Sequence, residues 1–144
     1  MHKIGLTIIL ALGFCLAANA ATFTLAGDNG LAGTITIDTT TGSVTSGTMT
    51  YGPDTFTFNV QLSLGPLVHI QAINGPGTKL LHLLIQASSL VGYAGGNLCG
   101  TNNPCGSGES DIYCTACSAP AGAYPPGYPC CGGTATWLSH VTLT

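Results

Sequence analysis

Apolar and polar residues alternate through much of the first half of this chain. Phe56, Phe58, Val60, Leu62 and Leu64 share one parity, and Thr55, Thr57, Asn59, Gln61 and Ser63 share the other. A period of two predicts a β-strand with one buried and one wet face, here with all five apolar residues on the core side. The same pattern recurs at Phe23 and Leu25, at Ile35 and Ile37, and at Met49 and Tyr51, each set interleaved with polar residues, mostly threonines. Turn signals separate these runs: Gly27-Asp28-Asn29-Gly30, Thr41-Gly42, Gly52-Pro53-Asp54 and Gly65-Pro66. Short strands at this spacing predict an all-β fold, an antiparallel sandwich of jelly-roll-like or Ig-like type.

Residues 67–86 read as one hairpin closed by Asn74-Gly75-Pro76-Gly77. A two- or four-residue loop centred there pairs Ile73 with Thr78, Gln71 with Leu80 and His69 with His82. Val68, Ile70, Leu81, Leu83 and Ile85 then face the core. Opposed imidazoles stand about 5 Å apart and are candidate metal ligands. Two are too few for a site, however, and no carboxylate has an evident place beside them. A three- or five-residue loop would remove the pair. A helix competes with strand over Leu80–Leu90, but the run is short and follows a strong turn, so strand is expected.

From Gly92 to Gly133 the periodicity stops and cysteines begin. Six of the seven, Cys99, Cys105, Cys114, Cys117, Cys130 and Cys131, fall in this Gly-, Pro- and Ser-rich stretch. An even count in an exported chain reads as three disulfides, each stabilising by about 2–4 kcal/mol. Six cysteines allow about fifteen pairings, and spacing does not choose among them. Cys130 and Cys131, being adjacent, are expected to bond to different partners. Cys114-Thr115-Ala116-Cys117 has redox-motif spacing without the βαβ context of that chemistry. Cys114, Cys117, Cys130 and Cys131 have the count for a zinc knuckle, which export disfavours. No metal or other cofactor is expected. After the cysteines, 134–144 alternates again around Trp137, a final strand returning to the fold.

The chain's start explains the oxidising context. His2 and Lys3 precede an apolar run from Ile4 to Ala18, and Ala18-Asn19-Ala20 fits a small-x-small cleavage site. Residues 1–20 therefore read as a signal peptide, too short in its apolar part to span a membrane. Lipidation at Cys15 is disfavoured by Phe14 before it. The expected product is one domain, 21–144, with 92–133 as a cysteine-rich loop insertion, secreted or held at the cell surface.

Beyond residue 20 the chain carries five carboxylates and one cation, Lys79, for a net charge of −4 with histidine neutral. So few cations exclude electrostatic binding to nucleic acid or to anionic lipid. They also leave little repulsion between copies, so self-association or an extracellular polysaccharide partner is expected. Enzyme chemistry is not expected, since the titratable groups are scattered; Glu109 and Asp111 are the least implausible acid pair. Tyr113, Tyr124, Tyr128 and Trp137, on or beside the stapled loop, are the candidate ligand-binding residues, able to stack on sugars.

Thr-x-Thr triplets begin at Thr22, Thr34, Thr48, Thr55, Thr134 and Thr142. Ranked threonines can order water or line a polysaccharide. The first four triplets start 12, 14 and 7 residues apart, which marks no regular solenoid. Threonine is also a natural outward residue of an antiparallel strand.

The run Gly33-Thr34-Ile35-Thr36-Ile37-Asp38-Thr39-Thr40-Thr41-Gly42-Ser43-Val44-Thr45-Ser46-Gly47 resembles a strand-turn-strand pattern of secreted bacterial proteins of the PEP-CTERM, exosortase-sorted type. The resemblance covers Phe23 to Phe58 and implies an exported bacterial β-sandwich of the cell surface or extracellular matrix. The chain lacks that class's Pro-Glu-Pro motif, terminal helix and basic tail, so sorting by that route is not implied. The function expected is a structural or adhesive surface protein, self-assembling through strand edges. The alternative is a small carbohydrate- or ligand-binding module using the aromatic, stapled loop.

Overall fold

The computed structural model describes residues 19–106, 108–114, 129, 130, 133, 134 and 136–144. Residues 1–18, most of the segment expected to be a signal peptide, therefore lie outside it. Six strands follow in chain order: β1 (Ala20–Ala26), β2 (Ala32–Asp38), β3 (Ser43–Tyr51), β4 (Asp54–Leu64), β5 (Leu67–Asn74) and β6 (Lys79–Ile85). The remainder are short: β7 (Gly96–Asn97), β8 (Asp111–Cys114), β9 (Pro129–Cys130), β10 (Gly133–Thr134), β11 (Thr136–Trp137) and β12 (Thr142–Leu143). β9 and β10 form a separate ribbon. The other ten make one antiparallel sheet in the order β11-β8-β6-β5-β4-β3-β2-β1-β12-β7, curled as a half-barrel. No α-helix occurs among the described residues. Hydrogen bonding runs unbroken through ten strands, so what is established is the curled sheet rather than a two-layer sandwich.

Connectivity forces the curl. β11 and β12 lie eight inter-strand steps apart in the sheet, about 38 Å if it were flat at normal strand spacing. Only residues 138–141 join them, and the fully extended chain from Trp137 to Thr142 covers about 18 Å. The two ends of the sheet must approach each other. The segment Leu98–Thr101 lies between them: Leu98 N–H donates to Val141 O at 2.8 Å, Thr101 N–H to Leu138 O at 3.0 Å, and Cys99 N–H to Leu84 O at 2.8 Å. Ser110 N–H donates to Cys99 O and Leu138 N–H to Ser110 O, both at 3.0 Å. Gly100 permits this approach, because a Cβ there would sit 2.7 Å from Leu138 O.

The concave face holds the core, including Phe23, Leu25, Ile35, Ile37, Met49, Phe56, Val68, Ile70, Leu81, Leu83 and Ile85. Leu98, Leu138, Val141 and Leu143 complete it from the closing segment. Tyr93 packs on Phe23, with ring centroids 5.3 Å apart, and burial pushes its phenol up to about 12. One sequence expectation fails at β4. A bulge leaves Asn59 without a partner between Phe58↔Ala72 and Val60↔Gln71. The extra residue reverses every later side chain, as a one-residue slip must. Phe56 is buried and Phe58 half-buried, but Leu62 and Leu64 are 40% and 56% exposed, while Gln61 turns in.

The hairpin register also differs from expectation by two residues. Ile73 pairs with Leu80, Gln71 with His82 and His69 with Leu84. Asn74 is the physical reason: its buried Oδ1 accepts from Thr78 and Lys79 N–H, both at 2.9 Å, ahead of the first ladder pair. Its Nδ2 donates to Asp54 Oδ1 at 3.2 Å, and Lys79 Nζ meets Asp54 Oδ2 at 2.5 Å. This polar knot also holds the Asp54 carboxyl below the ordinary range, chiefly through its bond from Lys79.

Candidate functional site

Three groupings of chemically capable side chains stand outside the core. The first surrounds the two histidines. The two-residue shift preserves their common face, and the rings meet diagonally with centroids 6.3 Å apart. β8 pairs with β6, placing Asp111 opposite His82, with Asp111 Oδ1 3.4 Å from Nδ1. The carboxylate that the sequence did not place is thus supplied by a strand about thirty residues on; only long-range pairing reveals it. Burial, then the neighbouring His82, lowers the pKa of His69. Among the described residues, no three His, Cys, Asp or Glu side chains converge to hold a metal ion.

The stapled segment meets the same row. Trp137, half-buried, lies opposite Asp111, so Trp137, Asp111, His82 and Gln71 follow one another across four strands. Tyr113 lies opposite Leu80 in register, and its side chain is not described. Tyr124 and Tyr128 lie outside the described residues, as do Cys117 and Cys131. Of the expected bridges, Cys99–Cys105 is present, with a Cα–Cα distance of 5.2 Å. Both sulfurs are buried with Leu84 and Leu67 beneath the closing segment. The pairings of Cys114 and Cys130 rest on side chains that are not described.

The second grouping brings together Asp28, Ser139 and His140. Ser139 Oγ donates to Asp28 Oδ2 at 2.6 Å, and His140 Nδ1 lies 2.6 Å from the same oxygen. The residue types are those of a hydrolytic triad, but the wiring is different: the serine bonds to the carboxylate instead of the imidazole. Asn102 Nδ2 lies 3.2 Å from His140 Nε2. These exposed groups tie the β1–β2 turn to the return segment. The bond from Ser139, then that with His140, lowers the Asp28 pKa.

The third grouping is the convex face of β12, β1, β2, β3 and β4. Thr24 and Thr144 exchange backbone hydrogen bonds at 2.7 and 2.9 Å. Thr24 faces Thr34, Thr34 faces Thr48, and Thr48 faces Thr57, so five threonines form one row across five strands. A second row runs Thr142, Ala26, Ala32, Thr50 and Thr55, and a third Thr22, Thr36 and Ser46. Thr22 and Thr36 touch through their hydroxyls at 3.1 Å. Hydroxyls thus repeat about 4.8 Å apart between strands in the first row, are interrupted by Ala26 and Ala32 in the second, and recur about 6.8 Å along each strand. No ionisable side chain stands in these rows. Beyond Thr48↔Thr57 the β3–β4 ladder ends. There the face opens into a cleft of about 270 Å³ lined by Thr34, Thr45, Ser46, Thr48, Thr57 and Phe58.

Five of the six Thr-x-Thr triplets therefore lie on one surface, which their linear spacing did not show. Antiparallel register is a reflection: partners sum to a constant about each turn, as in 22 with 36 and 24 with 34. Reflecting the triplets about the turn signals is the reading that finds the rows. No family model, no curated protein and no solved structure matches this chain.

Proposed function

We propose that this protein is a non-catalytic structural or adhesive component of the cell surface or extracellular matrix, exported and oxidised, that makes contact through its threonine face. The observation carrying this reading is the alignment of threonines into a charge-free lattice of hydroxyls. Such a face both donates and accepts hydrogen bonds without selecting for charge, which suits a neutral, hydroxyl-rich polysaccharide. A single exchanged hydrogen bond contributes only about 0.5–1.5 kcal/mol, so contact of this kind works by repetition across a surface. The buried disulfide is compatible with an extracellular location. No helix among the described residues is long and apolar enough to cross a membrane.

The test is co-sedimentation with insoluble neutral polysaccharides, cellulose and chitin as probes. Thr34→Lys with Thr48→Lys places two cations mid-face at exposed positions, and binding is expected to fall at least tenfold with the far-ultraviolet spectrum unchanged. Equal retention of wild type and variant would sink the reading. A second reading, a sugar-binding module at the stapled segment, is favoured by the placement of Trp137 opposite Asp111. In that case Trp137→Ala abolishes retention and the lysine variant does not.

A further inference from the structure

The sheet ends in two-residue strands, β11 and β7, which offer little edge for pairing. A longer unpaired edge lies inside it. β4 pairs with β5 from Phe56 to Leu64, but with β3 only from Asp54 to Thr57. From Phe58 to Leu64 its other side has no ladder partner among the described residues, although β3 continues back to Ser43. What crosses the gap is the Gln61 side chain: Oε1 accepts from Val44 N–H at 2.7 Å, and Nε2 donates to Gly42 O at 2.9 Å. Its carboxamide offers the donor and acceptor that a neighbouring strand's peptide group would offer.

Apart from the bulge at Asn59, this stretch carries none of the charge that protects an edge. No charged residue occurs between Asp54 and Lys79. Lysine or another charge is what ordinarily keeps a free edge from pairing with another chain. Leu62 and Leu64 are two of the three large apolar side chains exposed among the described residues. The order Val60-Gln61-Leu62-Ser63-Leu64 has the same apolar–polar pattern in both directions about Leu62. An antiparallel copy laid on this stretch sets Leu62 opposite Leu62, Val60 opposite Leu64 and Gln61 opposite Ser63. Apolar then meets apolar on one face about a two-fold axis, which is the requirement of a self-complementary interface.

We infer that β4 from Asn59 to Leu64 is a self-association edge whose partner is the same stretch of a second copy of this chain, and that the Gln61 carboxamide, bonded to Val44 and Gly42 of the facing segment, is the latch that holds the start of β3 across that edge in the monomer. Pairing along the full stretch requires Gln61 to release Val44 and Gly42. The inference is independent of the threonine face.

The test is light scattering and sedimentation of the purified, oxidised protein over a concentration series without polysaccharide, with amide hydrogen exchange read over 59–64. Association is expected to rise with concentration and to bring added protection to those amides. Leu62→Lys, at an exposed position, is expected to weaken it at least tenfold by setting two cations face to face. Gln61→Ala is expected to strengthen it by removing the latch. A wild-type protein that stays monomeric at millimolar concentration would overturn the proposal. So would association unchanged by Leu62→Lys, or association without new protection at 59–64. If Gln61→Ala leaves association unchanged while Leu62→Lys abolishes it, a sticky leucine patch is the explanation and the latch is refuted.

Discussion

Between Ala20 and Asn74 five strands pair in chain order, each hairpin bringing together residues close in sequence. Between Leu98 and Leu143 the chain crosses the molecule, and its strands are two to four residues long. The first region needs no cross-link because each short loop closure is repaid at once by a ladder of hydrogen bonds. The second region brings distant segments together for a few hydrogen bonds apiece. It gains its stability from buried Leu98, Leu138, Val141 and Leu143 and from a covalent clasp. The cysteines lie where loop-closure entropy is least repaid by pairing.

Breaking the clasp gives the largest expected effect. Cys99→Ala with Cys105→Ala removes a small ring and two buried sulfurs, at a cost of about 2–5 kcal/mol. Urea unfolding should show a lower midpoint. Hydrogen exchange should rise first at Leu98, Thr101 and Leu138, whose amides hold the closing segment. Protection lost equally in β2 and β3 would show that the two regions are one cooperative unit.

The same contrast explains what was legible in the sequence. The strands of the first region were readable because alternation is local, and the core positions from Phe23 to Met49 and from Val68 to Ile85 lie where that alternation puts them. The Asn59 bulge was not readable, because one inserted residue leaves the alternation of Val60, Leu62 and Leu64 intact while reversing what it faces. The hairpin register was hidden in the side chain of Asn74. Closure was hidden more deeply. It is written in main-chain bonds such as Leu98 to Val141, which join segments some forty residues apart and carry no residue-type signature. Composition pointed to a disulfide near the C-terminus, and Cys99–Cys105 is there, but that pairing was one choice among many.

The first region has a weak point of its own, and a smaller effect is expected there. Asn74 is 3% exposed and makes hydrogen bonds to Thr78, Lys79 and Asp54. Asn74→Ala removes the acceptor that the Thr78 and Lys79 N–H groups share at the hairpin's end, costing about 1–3 kcal/mol. If hairpins in this region are locally self-sufficient, the loss appears as faster exchange in β5 and β6 with the closing segment unaffected. Asn74→Asp keeps the acceptor for Thr78 and Lys79 and should recover part of the loss.

Acid supplies the mildest perturbation and acts in two steps. Asp28, Asp38 and Asp54 all have pKa values held below the ordinary 3.8, through Ser139, the Thr40 N–H and Lys79 respectively. Each carboxylate binds a proton less readily in the folded chain than in the unfolded one. Their stabilisation is therefore present above pH 3.8 and is lost as pH falls through the lower folded values. His69 has the same sign for a different reason: burial and His82 disfavour its charged form, so its folded pKa lies below the ordinary 6.5. The unfolded chain takes up that proton first, and stability declines as pH drops below 6.5, levelling off once the folded imidazole is also protonated. The expected profile of Tm against pH has two descending steps, a shallow one beginning near 6.5 and a second beginning near 3.8. His69→Gln should flatten the first and leave the second. The second step should loosen the turns that Asp38 and Asp54 fasten in the first region. It should also release the contact of Asp28 with Ser139 and His140, which ties that region to the closing segment. A profile with only the lower step would mean that His69 meets its proton as readily folded as unfolded, so that neither burial nor His82 disfavours its charged form.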